Sequence, residues 1–558
     1  MPHSDRTSMT ADPRAPAPPL HTFHGGLVLP GNREHTMNAP LRQAGIPPVL
    51  VLPLLQHIGS AAQCLVTPGD RVLKGQRLAA ARGTVSAPIH APSSGTVVAV
   101  EPRPFPHPSG FATPAIIIET DGRDEWLDPG EVPADYRAMD AARLVNHIRQ
   151  SGIVGLGDAG FPTQVKLGSS LRHHIEILVI NGAECEPYIT CDDRLMQERA
   201  AEIIEGVCIL RHILKPDRCI IALENHMGAA SSAMQAAIDN TGDKWLSLVS
   251  VPDRYPSGGE RQLIRILTGK EVPSQGYPAD IGILCQNVGT TAAIYQAIVH
   301  NRPLLSRIVT VTGAGVKQPG NIEALIGTPF SDLIETCGGY RGPVDRLLMG
   351  GPMMGFTVSS DTVPVIKTTN CILAATREEM PLPPAEQACI RCSKCTDVCP
   401  ADLLPQQLFW HSHSGDLDAA QDYHLFDCIE CGCCAYVCPS HIPLVQYYRH
   451  TKAEIWAREK QKRASDLARR RHEARLERLE RIRLERTERL ARKKRALDNS
   501  ANPATDPKQA AIQAALERVR RKKAASDVVP GNVDNLTREQ QQRIRAVDAR
   551  RQHTDEDS

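Results

Sequence analysis

The spacing of apolar and polar positions changes several times along this chain, and each change marks a different kind of element. From about residue 22 to 120, short Val/Ile runs are broken by Gly and Pro. Val66-Thr-Pro-Gly-Asp-Arg-Val72 reads as strand, turn, strand, and so does the stretch from Ala87 through Gly95 to Val100. Short strands between turn signals predict a small all-β module. From about 135 to 300 the period lengthens. Ala141 to Gln150 is spaced as a helix, while Ile175–Asn181, Arg218–Leu223 and Trp245–Val251 are runs of buried-strand character. Helices alternating with strands predict an α/β domain. Arg307 to Gly313 opens a second β-rich unit that continues through Gly315–Gly320 and Leu333–Gly339. Residues 375 to 445 should be helical between cysteine-bearing loops. Lys452 to Asp498 is nearly all Ala, Leu, Glu, Arg and Lys, and predicts one long charged helix with a thin apolar stripe at Leu476, Leu479 and Ile482. Glu477/Arg481, Glu485/Arg489 and Glu488/Arg492 are spaced as favourable i,i+4 pairs. The remainder, 499 to 558, reads as disordered apart from a second basic helix near Ala510–Ala525.

Composition narrows the class. A chain of 558 residues should hold several domains, and its formal charge of +1 is close to neutral. No run of about 18 apolar residues exists to span a bilayer. Aromatic residues are only 4% of the chain, too sparse for the stacking platforms of single-stranded nucleic-acid binders. Residues 1 to 20 hold prolines and charges without the apolar core of a secretory signal, so they read as a disordered lead. Eight of the 17 cysteines, including Cys64, Cys185, Cys191 and Cys371, are scattered along the chain outside any ligand spacing, as expected of reduced thiols. The basic helix reads either as a solvated arm or as a surface for an anionic membrane or an acidic partner. Nothing else in the chain supports a nucleic-acid partner.

The chemistry is densest late in the chain. Cys389-Ile-Arg-Cys392-Ser-Lys-Cys395-Thr-Asp-Val-Cys399-Pro400 and Cys428-Ile-Glu-Cys431-Gly-Cys-Cys434-Ala-Tyr-Val-Cys438-Pro439 both read C-x2-C-x2-C-x3-C-P. This is the bacterial ferredoxin run that holds two [4Fe–4S] clusters. Three closely spaced thiolates wrap three iron corners, and the fourth comes from the other run. Cluster one therefore takes Cys389, Cys392, Cys395 and Cys438, and cluster two takes Cys428, Cys431, Cys434 and Cys399. Cys433 falls outside the pattern as a spare thiol. Zinc knuckles need neither the third cysteine nor the proline, and disulfides need an oxidising compartment. The chain is expected to move electrons singly.

Gly155-Leu-Gly157-Asp-Ala-Gly160 matches G-x-G-x-x-G, but a helix rather than a strand precedes it, so the dinucleotide fingerprint fails on context. A glycine loop still brings backbone N–H groups close to a phosphate or flat ring. Phe161-Pro-Thr-Gln-Val-Lys166 follows, with proline at a helix start and a lysine one turn later, which suits an anion. Asn181-Gly-Ala-Glu184-Cys-Glu186 lies at a strand end, where α/β sheets bind ligands; an ordinary polar turn is the alternative.

Taken in order, these phrases resemble a known family. Gly152–Thr163, Val179–Tyr188, Tyr255-Pro-Ser-Gly-Gly-Glu-Arg261, Cys285-Gln-Asn-Val-Gly-Thr290, Met349–Gly355 and the doubled cysteine run are similar to the flavin-bearing, NADH-oxidising subunit of respiratory complex I. They are more similar still to the C subunit of the Rnf (Rsx) ion-translocating oxidoreductase complex. The resemblance covers about residues 20 to 450. It implies noncovalent FMN lined by Gly155, Gly157, Gly160, Lys166, Asn181, Glu184, Gly258, Gly259, Glu260, Asn287 and Thr290. It places Phe161, Glu186 and Tyr255 nearer NAD(H). Asp158 stands where relatives usually carry glycine, and Ala183 where the corresponding proteins of complex I carry an acid.

The stretch "V-x-P-G-D-x-V" with its later partner resembles a lipoyl- or biotinyl-type barrel-sandwich, but its hairpin tip holds Ile89, His90 and Ala91 instead of a modifiable lysine. The module is thus expected to be structural or a docking surface. The 305–374 unit resembles an SLBB-type β-grasp. The expected architecture is a multidomain α/β chain: 1–20 lead, 21–134 barrel-sandwich, 135–304 FMN/NADH domain, 305–374 β-grasp, 375–450 two-cluster ferredoxin-type domain, 451–558 charged helix and tail. The implied path is NADH, FMN, one cluster, the other, then a partner subunit of the same complex, with ferredoxin or another acceptor beyond it. The resemblance implies a peripheral position at the cytoplasmic side of the inner membrane. A soluble flavin/iron–sulfur cobalamin reductase, a ferredoxin-type carrier without NADH activity, and a scaffold acting through the basic helix remain as alternatives.

Overall fold

The computed structural model describes residues 19–128, 135–157, 160–242, 244–499, 507–524 and 536–545. It divides into two units, residues 1–458 and 459–558.

In the first unit, the α/β region is built on four parallel strands in the spatial order Leu246–Val251, Arg218–Glu224, Ile177–Asn181, Ile283–Asn287. The alternation of side chains along each strand assigns them to two cores. Leu178, Ile180, Ile221 and Leu284 pack with the helices Ala141–Gln150, Ala200–Leu214 and Val288–His300. Ile177, Val179, Ile220 and Cys285 pack with Leu263, Ile264 and Leu267 of the helix Glu260–Thr268. A parallel sheet covered on both faces needs strands apolar on both sides, which is why these runs lack polar alternation. The chain fills one side of Ile177–Asn181 with its second and third strands, then returns to the other side with the fourth. Strand order therefore reverses between Ile177–Asn181 and Ile283–Asn287, the place where sheets of this kind form a ligand crevice beyond their carboxyl ends.

Local sequence starts the flanking helices where they are needed. Asp140 accepts from the Arg143 N–H at the head of Ala141–Gln150. Asn287, the last residue of its strand, caps Val288–His300 by accepting from the Gly289 and Thr290 N–H groups at 2.8 and 3.3 Å.

The N-terminal module has a four-stranded sheet, Val49–Pro53, Ala112–Thr120, Gly95–Pro104 and Arg71–Val72, beside a three-stranded one, Gln63–Cys64, Arg77–Ala80 and Ile89–His90. The strand expected at Val66 lies instead at Gln63–Cys64, because Pro68 and Gly69 occupy the turn that follows. The hairpin tip is inside the molecule: Ile89, His90 and Ala91 are buried, and the Pro88 carbonyl accepts from Lys367 Nζ at 2.7 Å. A buried tip cannot swing, which agrees with the structural role expected of the module. Residues 306–375 supply five strands of a mixed six-stranded sheet, and the strand Arg42–Gln43 forms one edge of it. Leu333–Gly339 contributes the end of a helix, Phe330–Thr336, and the two glycines that stop it.

A helix spans Leu444–Asn499, with Val445, Tyr448 and Ile455 buried near its start. The expected pairs Glu477/Arg481, Glu485/Arg489 and Glu488/Arg492 are not among its ion pairs; Arg463–Glu459 and Arg469–Asp466 are. Exposed pairs on long side chains gain little from closing. A second helix, Pro507–Ala524, lies near the expected position. Residues 1–18 and Asp158 lie outside the described residues.

Candidate functional site: a sheet crevice beside two four-cysteine cavities

Two asparagines end the strands that flank the switch point. Asn181 and Asn287 are register partners, side by side at the carboxyl edge. Asn181 Nδ2 donates to the Gly258 carbonyl at 2.8 Å, and its Oδ1 accepts from the Ala183 N–H at 3.0 Å. Asn287 Nδ2 donates to Asp192 Oδ2 at 2.6 Å. The glycine loop lies across this edge. The Leu156 N–H donates to Thr290 Oγ1 at 2.9 Å, and a Cβ on Gly157 would rest against Asn287. The Gly155 N–H closes the loop on the Phe161 carbonyl at 2.7 Å. Arg307, fully buried, donates to the Leu156 carbonyl at 2.9 Å from beyond the sheet. Gly259 precedes the helix that begins at Glu260, whose carboxylate pairs with Lys166. Burial alone would pull the Lys166 ammonium down, but Glu260 and Cys285 nearby turn the net shift upward. Leu156, Asp192, Gly289 and Arg307 also line a cavity of about 500 Å³ that continues away from this edge.

The remaining expected residues are engaged as follows. Glu184, 8% exposed, gives both carboxylate oxygens to the start of the helix Cys191–Glu198: it accepts from the Asp192 and Asp193 N–H groups at 3.0 and 3.2 Å. Burial, with Asp192 beside it, pushes its pKa up to about 8. Glu186 accepts from the Met353 and Met354 N–H groups at 2.7 and 3.1 Å, which locks the Met349–Gly355 turn against the crevice; a Cβ on Gly351 would meet the Glu186 side chain at 2.2 Å. Gly160, at φ +56°, packs against Thr368 and His57. Tyr255 is buried and donates to the Cys431 carbonyl at 2.6 Å. Burial and the Glu186 carboxylate hold its hydroxyl well above the ordinary range. A Cβ on Gly258 would meet the Ala183 carbonyl at 2.5 Å, so this close approach requires glycine.

The cysteines fall into two small cavities. One is lined by Cys399, Cys428, Cys431 and Cys434, the other by Cys389, Cys392, Cys395 and Cys438. Each set mixes three sulfurs of one run with the fourth of the other. The two runs repeat each other in backbone as well: Arg391 and Ser393 in the first, and Glu430 and Gly432 in the second, have positive φ. Cys433 lines neither cavity and is buried with Tyr255 and Cys431. Tyr448, fully buried, lines the first cavity and donates to the Pro405 carbonyl at 2.6 Å. Lys452 Nζ donates to the Cys428 carbonyl and to Glu430.

Sequence reasoning missed several residues of this region. Arg33 donates to the Glu184 and Glu186 carbonyls at 2.8 and 3.1 Å. Gly26 N–H donates to the Val398 carbonyl, Leu27 pairs with Tyr255, and His24 Nδ1 lies 2.8 Å from the Cys399 carbonyl. The segment from His24 to Arg33 thus joins the α/β domain to the cysteine domain. The only sequence signal was His24-Gly25-Gly26, where a Cβ on Gly25 would meet Val398 at 2.4 Å.

A glycine-rich loop on a sheet switch point, next to eight thiols in two sets of four, defines an iron–sulfur flavoprotein of electron transport. The thiol donor sets fit two clusters, and the glycine loop at the strand ends, with the Lys166 ammonium, fits the phosphate ester of a flavin. Family comparison matches residues 148–296 to the Nuo51 FMN-binding domain and 388–442 to a 4Fe-4S dicluster domain. Residues 21–123 match the RnfC barrel sandwich hybrid domain and 308–357 the SLBB domain.

The chain belongs to the RnfC family, the C subunits of ion-translocating oxidoreductase complexes. It is 49% identical to the family member of Pseudomonas aeruginosa over 91% of this chain, and 47% identical to that of Pectobacterium atrosepticum over 95%. It spans 66% and 75% of those relatives' own lengths. A solved NAD+-reducing [NiFe]-hydrogenase is similar over 52% of this chain and 57% of that one, at 19% identity and a TM-score of 0.40. No helix among the described residues is long and apolar enough to cross a membrane.

Proposed function

We propose that this chain is the peripheral, NADH-oxidising (or NAD-reducing) subunit of a membrane-bound complex. That complex couples electron transfer between NADH and ferredoxin or another acceptor to ion translocation across the inner membrane. The observation that carries the reading is the contact between the two chemistries: Tyr255, from the crevice side, donates its hydroxyl to the backbone of the cluster residue Cys431.

In this reading Gly155, Gly157, Lys166, Asn181, Gly258, Gly259, Glu260, Asn287 and Thr290 hold the flavin. Phe161, Glu186 and Tyr255 border the NADH side. Glu184 and Gly160 act by fixing the backbone around them. Bound FMN supplies the exchange between two-electron hydride chemistry and one-electron transfer. Lys166, paired with Glu260, is the cation near the loop for an anionic group. Cluster one is held by Cys389, Cys392, Cys395 and Cys438, and cluster two by Cys428, Cys431, Cys434 and Cys399. What supports this split is the lining of the two cavities. Cluster two lies on the crevice side, since Cys431 and Tyr255 share one apolar group with Cys185, Met353 and Met354. Cys392 of cluster one is exposed, which suits delivery to a partner subunit.

The test is reconstitution followed by iron and flavin analysis and anaerobic NADH addition. The expected result is about eight iron atoms per chain, released FMN, and bleaching by NADH. Protein with iron but neither flavin nor bleaching would overturn the dehydrogenase reading. Sustained NADH oxidation that requires a corrinoid as the electron acceptor would overturn the membrane-complex reading.

A further inference from the structure

The long helix carries a sorted charge pattern that electron transfer does not use. Between Glu459 and Asp498 there are sixteen Lys and Arg against eight Asp and Glu. At about 100° per residue, the half of the helix centred on Leu479 contains none of the eight acids. The acids nearest to its centre, Glu480 and Asp498, lie about 100° away. The same half carries Leu476, Leu479, Ile482, Leu490 and Leu497, which are 52, 50, 52, 59 and 70% exposed. It also carries eight of the sixteen basic residues, among them Arg475, Arg483, Arg486, Arg489, Lys493 and Lys494. Among the described residues no ion pair engages those six; Arg469, at the border of the face, pairs with Asp466. The opposite half balances eight cations with all eight acids. The whole excess charge of the segment therefore lies on the face that also carries the exposed aliphatic line, from Arg469 to Leu497, over about 42 Å of helix.

We infer that this face adsorbs to an anionic lipid surface. Three observations select that occupant. Cations mixed with aliphatic side chains suit a headgroup layer, where Leu and Ile dip inward while Arg and Lys extend to phosphates. A coiled-coil partner is disfavoured because the heptad line Leu476, Leu479, Leu490, Leu497 is interrupted at its intervening a and d positions by Arg483, Arg486 and Lys493. A nucleic-acid partner is disfavoured because residues 459–498 contain no Phe, Tyr or Trp to stack on bases. The inference is independent of the flavin and cluster assignments and applies to the helix as it stands in the full chain.

The experiment is sedimentation of the purified full chain with phosphatidylcholine vesicles, alone or mixed with phosphatidylglycerol, at low and high salt. The expected result is binding to the anionic vesicles at least about tenfold tighter than to neutral ones, weakening as salt rises. Arg483→Glu/Arg486→Glu/Lys493→Glu should lose most of it, and Leu479→Ser/Leu490→Ser should weaken it severalfold. Arg463→Glu/Arg481→Glu/Arg492→Glu, with the same charge change on the opposite half, should retain most of it. Circular dichroism checks that each variant keeps its helix, and NADH-driven dye reduction should be unchanged in all. Equal binding to neutral and anionic vesicles would overturn the inference. So would equal loss from the two triple variants, or single-stranded RNA that binds more tightly than vesicles and displaces them.

Discussion

Cys399→Ala tests the division of the thiols most directly. Cys399 belongs to the first run in sequence, yet its side chain lines the cavity of Cys428, Cys431 and Cys434, 29 or more positions further along the chain. Removing it leaves that cavity with three thiols and the other with its full four. Of about eight iron atoms, about four should be lost, with one of the two reduced-cluster signals in electron paramagnetic resonance. Combination with further variants makes the test sharp, because losses from one site do not add and losses from separate sites do. Cys399→Ala with Cys431→Ala should still lose about four irons, whereas Cys399→Ala with Cys392→Ala should lose all of about eight. Iron analysis and resonance spectra of the two double variants decide the matter. If Cys399→Ala with Cys392→Ala loses only one cluster, each run keeps its own fourth ligand and the crossed split is refuted.

Other outcomes follow from the same geometry. Tyr255→Phe leaves the buried Cys431 carbonyl without its donor and should cost about 1–3 kcal/mol; dye reduction at the flavin should persist while stopped-flow reduction of the clusters by NADH slows, and equal rates in both steps would count against the contact. Glu260→Gln removes the carboxylate that pairs with Lys166 and shifts its pKa upward, and should weaken NADH-driven dye reduction by roughly tenfold, or about 1.4 kcal/mol; unchanged kinetics and flavin retention would refute a role for the pair. Lys367 is buried against the Pro88 and Gly152 carbonyls, each at 2.7 Å, and burial lowers its pKa to about 7 from the ordinary 10.5. Below pH 7 it is charged in folded and unfolded chain alike, and the cost of burying that charge is borne in full. Between pH 7 and 10.5 the unfolded chain holds the extra proton, so stability should rise with pH across that window. Lys367→Met should flatten that rise in the denaturation midpoint, and an identical pH profile in variant and parent would show that the ammonium does not titrate there.

Much of this molecule is determined by sequence alone. The cysteine spacing specifies two cubane sites, because few other groups need three thiolates within seven residues and a fourth before proline. The doubly apolar strands Ile177–Asn181 and Arg218–Glu224 specify a covered parallel sheet, and the helix Ala141–Gln150 begins and ends where its cap and period require. What tertiary structure decided is which way each polar side chain turns. Asn181 and Glu184 lie three residues apart, yet one ends at the crevice and the other at a helix start, because Glu184 meets the free N–H groups of Asp192 and Asp193. Lys367 and Arg33 carry no motif, and matter only because folding brings them against carbonyls from distant segments. Local period and ligand spacing are short-range constraints that a sequence displays directly. The satisfaction of a buried hydrogen-bonding group depends on partners up to hundreds of residues away, and only the packed chain brings those partners within reach.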